Sequence, residues 1–177
     1  EMDFQSPARG SERVTNNYDP GLRHAFLTYD KWLIGQTWTT FQDLGALPET
    51  VDFVGASDGT VFGRQPQVRY STGNWQFSVE NAETALASRN TVAPVAPATS
   101  PSLGAVSVAD QGSNAMPDLV ARYTHKGDFG HISVAALARQ LKTSQNAAGQ
   151  DETTEGYGIS LSGKYNLSSG DDIRYMA

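Results

Sequence analysis

The sequence contains no cysteine, and that absence removes disulfide frameworks, thiolate metal centres and thiol nucleophiles together. Long apolar runs are missing too. None approaches the roughly 18–20 residues that a membrane helix needs, which excludes helical spans but not transmembrane strands, since a barrel strand shows lipid only alternate side chains. Basic charge is scarce, with 13 Lys and Arg against 19 Asp and Glu and a formal net charge of -6. A surface that neutralises phosphates needs clustered cations, so nucleic acid is not an expected partner. No leader pattern is present, and the sequence opens and ends on strand-like residues, so a segment of a longer chain is expected, with further strands on both sides.

What is present is a rhythm of strand, short turn, strand and long loop. The stretch 22–41, LRHAFLTYDKWLIGQTWTTF, reads as two extended segments joined at Asp30-Lys31. That turn sets Ala25 opposite Gln36 and Arg23 opposite Trp38, so Arg23, Gln36 and Trp38 share a face. The clearest pattern is RQPQVRYS, a turn at Gly73-Asn74, and WQFSVEN. It pairs Tyr70 with Phe77, Val68 with Val79, Arg69 with Ser78 and Gln67 with Glu80, and so separates an apolar face from a polar one in a well-specified register. LVARYTHK and HISVAALARQL form a third hairpin around Gly127-Asp128, pairing Tyr123 with Ile132, Arg122 with Ser133 and Ala121 with Val134. Helix propensity competes over HISVAALARQLK, and the hairpin register with its β-branched start favours strand. GYGISLSGKYNL alternates strictly, with Lys164 on its polar face, and a turn at Ser169 to Asp171 opens a last strand. Long loops are expected at 7–21, 40–63, 83–117 and 143–155. The second carries the acids Asp43, Glu49, Asp52 and Asp58, and loops of that length in compact folds are functional or disordered.

Short turns at one end and long loops at the other are the asymmetry of outer-membrane barrels. Tyr29, Trp32, Tyr70, Trp75, Phe129, Tyr165 and Tyr175 gather beside the short turns, as an interfacial girdle requires. A soluble β-sandwich also alternates its faces, but it has to bury Arg69, Arg122 and Lys164 or expose the aromatic face. The fold expected is all-β, part of an antiparallel transmembrane β-barrel. The strand pair 22–39 fits least well. If Arg23 faces the lumen, alternation sends Tyr29 and Trp32 inward and His24 and Thr37 outward, which calls for a bulge near the turn or a neighbouring subunit in place of lipid.

LRHAFLTY, GQTWTTF, the PETVDF element and FGRQPQVRYS followed by an aromatic strand resemble the DcaP-like outer-membrane porins of Gram-negative bacteria. The resemblance runs from Leu22 to Asn81, and beyond that it rests on strand rhythm. It implies a trimeric porin of the bacterial outer membrane, sixteen-stranded in each subunit, surrounded by lipid and lipopolysaccharide and preferring small anionic solutes such as dicarboxylates. This chain has too few strands to close such a barrel alone. Carried over by position, Gln42 to Gly63 is the constriction loop, with Arg23, Gln36, Trp38, Arg64 and Arg69 on or beside the facing wall. The residues agree with that assignment. Anion passage needs basic side chains on the lumen wall, and the polar faces supply Arg23, Arg69, Arg122, Arg139 and Lys164, while loop carboxylates opposite them set up a transverse field. Arg64 stays ambiguous, because alternation with Arg69 puts it outside unless Gly63 opens a bulge.

Other chemistry is weaker. His125 and His131 flank one turn and His24 stands apart, but no carboxylate spacing completes a ligand set, so neither metal nor cofactor is expected. Gly156-Tyr157-Gly158 lacks the third glycine of a dinucleotide loop and leads into a strand. Asn166-Leu167-Ser168 matches a glycosylation sequon that has no meaning in a bacterial chain. No nucleophile with a base is evident, so no enzymatic activity is expected. The competing function is a soluble or surface-attached β-rich binding protein without channel activity.

Overall fold

The computed structural model describes residues 1–6, 19–49, 63–82, 87–88, 107–108, 116–143, 152–168 and 170–177. Its strands are β1 (Met2–Ser6), β2 (Asp19–Leu22), β3 (Ala25–Tyr29), β4 (Trp32–Trp38), β5 (Arg64–Thr72), β6 (Trp75–Glu80), β7 (Ala87–Ser88), β8 (Ser107–Val108), β9 (Asp118–Gly127), β10 (Gly130–Thr143), β11 (Glu152–Asn166) and β12 (Asp172–Met176). One 3-10 turn, Leu44–Ala46, is the only helical element among the described residues. β3 to β6 and β9 to β12 form one eight-stranded antiparallel meander. β1 with β2, and β7 with β8, make separate two-stranded pairs.

Register sorts the side chains into rows across the sheet. Leu27, Ile34, Val68, Val79, Leu119, Ala138 and Tyr157 are successive cross-strand partners and make one apolar row. Rows on the other face are mostly polar: Ser71, Gln76, Arg122, Ala135 and Ser160 in one, Lys126, His131, Lys164 and Arg174 in another. Burial then inverts the order of a soluble protein. Ile34 and Ile159 are 54% and 79% exposed, whereas Ser133 and Asp118 on the polar face are each 1% exposed. Among the described residues only Ala46, Val120 and Ala135 are buried hydrophobics. A sheet that hides its hydroxyls and shows its aliphatics is built for lipid outside and a wet, covered surface inside.

The girdle lies where expected. Trp32 packs against Tyr70 with ring centroids 4.8 Å apart, and Trp75 against Tyr123 at 4.9 Å, both on the apolar face beside short turns. The hairpin at Gly73-Asn74 has each pairing read from its sequence, and HISVAALARQL is strand.

Three expectations need correction. In β4 the shared face of Gln36 and Trp38 is the outer one: Trp32 pairs with Tyr70, Ile34 with Val68 and Gln36 with Pro66, so the apolar side of β5 fixes the outward set. Tyr29 and Trp32 need no bulge, and Thr37 is buried on the polar side. In the third hairpin the turn is Asp128-Phe129, so Tyr123 meets Val134 and Arg122 meets Ala135. That slip of two residues preserves the faces. It is fixed by Gly130, whose φ of +118° and approach to β11 admit no side chain, since a Cβ there sits 2.0 Å from the Lys164 carbonyl oxygen. Finally, β2 and β11 take up the ends of the expected loops 7–21 and 143–155, because Glu152 to Glu155 pair with β10.

Candidate functional site

The chain leaves β4 at Thr39 and crosses the polar face obliquely, and its contacts step from strand to strand. At the root, the buried Glu80 carboxylate on β6 accepts from Thr39 Oγ1 at 2.6 Å, the Thr40 N–H at 2.7 Å and Ser78 Oγ at 2.7 Å. Thr40 Oγ1 donates to Gln67 Oε1 on β5 at 3.2 Å. Further on, the Gln42 carbonyl accepts from Arg122 Nη1 on β9. Asp43 reaches His131 Nε2 on β10 at 2.8 Å and Ser162 Oγ on β11 at 2.9 Å. Arg174 on β12 donates to the Leu47 carbonyl at 2.7 Å and to Glu49 at 2.6 Å. Gly158 on β11 lies beneath this crossing, where a Cβ would come into ordinary contact with the Phe41 ring at 3.4 Å. The segment 39–49 is thereby held against the wall by a series of charge-assisted bonds, the stronger class of hydrogen bond, worth about 1.5–3 kcal/mol each.

Between this segment and the short turns lies a cavity of about 460 Å³, lined by residues that include Gln42, Asp43, Arg69, Gln76, Arg122, Lys126 and His131. Its two arginines meet neutral partners. Arg69 donates to Gln67 Oε1 at 2.9 Å and to the Trp38 carbonyl at 2.6 Å. Arg122 donates to Gln76 Oε1 and to the Gln42 carbonyl. The nearby carboxylates are occupied elsewhere, Asp43 by His131, Ser162 and the Gly45 N–H, Glu80 by the two threonines and Ser78. Lys126 adds a third cation at the exposed rim.

Of the other sequence candidates, all but Trp38 stand apart from this cavity. Arg139 is ion-paired with the buried Asp118, and Lys164 lies 3.5 Å from Asp172, both on the polar face. Arg23 lies 3.5 Å from Glu1. Arg64 pairs with Trp38 without a bulge, its guanidinium 3.9 Å from the Trp38 ring and its Nε donating to His24 Nε2 at 3.3 Å. Gln36 donates to the Leu22 carbonyl. Trp38, outward by strand parity, borders the cavity through its carbonyl, the acceptor for Arg69. Asp52 and Asp58 lie outside the described residues. Sequence reasoning missed Lys126, Gln76, Ser162 and Arg174 as site residues. Alternation with Arg122 marks Lys126, but the crossing that recruits Ser162 and Arg174 spans more than a hundred residues and leaves no local signal. A cluster of three His, Asp or Glu able to hold a metal does not occur among the described residues.

The sequence model of the DcaP outer membrane protein family matches residues 3–176. The chain belongs to that family. Its place is therefore the bacterial outer membrane. The crystal structure of the outer membrane channel DcaP of Acinetobacter baumannii is similar, with a TM-score of 0.63 and 26% sequence identity over 94% of this chain. The chain spans 42% of that DcaP chain. No curated protein matches it. The meander and its lipid-facing side are thus the family's wall, and the barrel part expected from sequence is the architecture found.

Proposed function

We propose that the whole protein is a water-filled channel for passive diffusion of small anionic, dicarboxylate-like solutes, working as a homotrimer, with Gln42 to Gly63 as its constriction and no catalytic chemistry. The observation that carries the reading is the charge state of the cavity. Arg69 and Arg122 spend their donors on amide and carbonyl oxygens, which orient a guanidinium without cancelling its charge. A solute carboxylate entering beside them can therefore exchange water for fixed cationic donors. Two cations on β5 and β9, held apart by the intervening β6, suit a solute with two carboxylates better than one with a single charge. The segment 39–49 supports the constriction role, since it narrows the path on the side facing these arginines.

The test is recording of the full-length protein in planar bilayers under a salt gradient. Discrete conductance steps and a reversal potential favouring anions are expected, with succinate-like dianions lowering chloride current more than monoanions do. Absence of conductance in correctly folded protein removes the channel reading; conductance with cation preference removes the anionic solute class.

A further inference from the structure

Along the segment 39–49, Asp43 is where one side chain ties two strands at once. Its Oδ2 accepts from His131 Nε2 at 2.8 Å on β10 and from Ser162 Oγ at 2.9 Å on β11. Its Oδ1 accepts from the Gly45 N–H at 3.0 Å and caps the turn Leu44–Ala46. One carboxylate therefore shapes the turn and fastens it to the wall. Packing matches this: Gly45 lies so close to the His131 ring that a Cβ there falls 2.8 Å from Cε1, and Ala46 is buried.

The ties on either side are of different strength. Upstream, Glu80 grips Thr39 and Thr40 in buried surroundings. Downstream, Arg174 holds the Leu47 carbonyl and Glu49, whose side chain is 83% exposed and screened by water. Loss of the Asp43 contacts thus leaves the root fixed and frees the turn.

We propose that Asp43 is a positioning residue for conduction, its clasp on His131 and Ser162 setting how far the turn Leu44–Ala46 stands off the wall and so the free cross-section beside Arg69 and Arg122. The proposal rests on the channel reading. Releasing the clasp widens the path and moves passing solutes away from the arginines, so conductance rises while selectivity falls.

Full-length protein is recorded in planar bilayers as wild type, as Asp43→Ala, as His131→Ala with Ser162→Ala, and as Asp43→Cys with Ser162→Cys. Folding is checked by heat-modifiable gel mobility. Asp43→Ala and the His131, Ser162 double variant are expected to raise single-channel conductance about 1.5- to 2-fold and to lower anion preference. The double-cysteine protein behaves like Asp43→Ala when reduced and returns to the wild-type level when oxidised, a reversal that general loosening of the barrel does not produce. A wild type that forms no channel overturns the channel reading. A wild type that conducts, with clasp variants that conduct and select as it does, overturns the clasp and leaves the channel standing. If Asp43→Ala fails to fold, the His131, Ser162 variant and the reduced-against-oxidised comparison decide on the same criterion.

Discussion

Two groups of cations share one face of the sheet and differ in what they hold. Arg139, Lys164 and Arg174 each meet a carboxylate, Asp118, Asp172 and the pair Asp172 and Glu49 respectively. Arg69 and Arg122 meet amide and carbonyl oxygens. An ion pair sums to no charge at a distance and does its work on stability. A guanidinium oriented by neutral groups keeps its charge for whatever enters the cavity. Side chains of the same charge and the same parity are thus neutralised by acids in one place and, on the channel reading proposed above, face solutes in the other.

The largest effect expected from this division is on folding. Arg139→Ala leaves Asp118, 1% exposed, as an uncompensated buried carboxylate, which costs about 3–5 kcal/mol. Urea titration of the full-length protein in liposomes should show that loss, with the anion-to-cation permeability ratio of the surviving channels unchanged. A large selectivity change in Arg139→Ala would erase the distinction between the two groups.

Arg122→Ala is expected to do the converse. Removing one unit charge a few ångströms from a passing anion in a wet lumen is worth about 1 kcal/mol, or roughly a fivefold fall in the permeability ratio. Arg69→Ala should act in the same direction, and the two effects should fall short of additive because both arginines face the same cavity. Reversal potentials measured for the two single variants and the double variant check this.

How much of this was legible beforehand depended on contrast between the faces. The hairpin 64–80 is legible pair by pair because Gln67, Arg69, Gln76 and Ser78 alternate with Val68, Tyr70, Phe77 and Val79. β4 offers no such contrast. Its inward set is Leu33, Gly35 and Thr37 and its outward set ends in Gln36 and Trp38, so only pairing with Pro66, Val68 and Tyr70 decides which side meets lipid. Arg23 was a poor guide, because it precedes the first residue of β3 and lies beside Glu1. At the site, strand parity found Arg69 and Arg122 on the polar face. It could not reveal which cations have acid partners, since Asp118 and Arg139 meet only once β9 and β10 are aligned.

Lys126 gives the smallest effect and the finest test of the comparison. It lines the same cavity as Arg122 but is exposed to water beside the turn at Asp128-Phe129. Its ammonium therefore acts through solvent, and salt screens it: the Debye length is roughly 30 Å at 0.01 M and about 3 Å at 1 M. Lys126→Ala should lower anion preference by less than about twofold at 0.01 M salt and by nothing measurable at 1 M. Arg122→Ala, acting within the covered part of the cavity, should retain most of its effect at 1 M. Recording both variants across that salt range separates a rim cation that steers ions toward the mouth from a wall cation that meets them inside. Equal salt dependence would place the two charges in the same environment and remove the distinction between rim and wall.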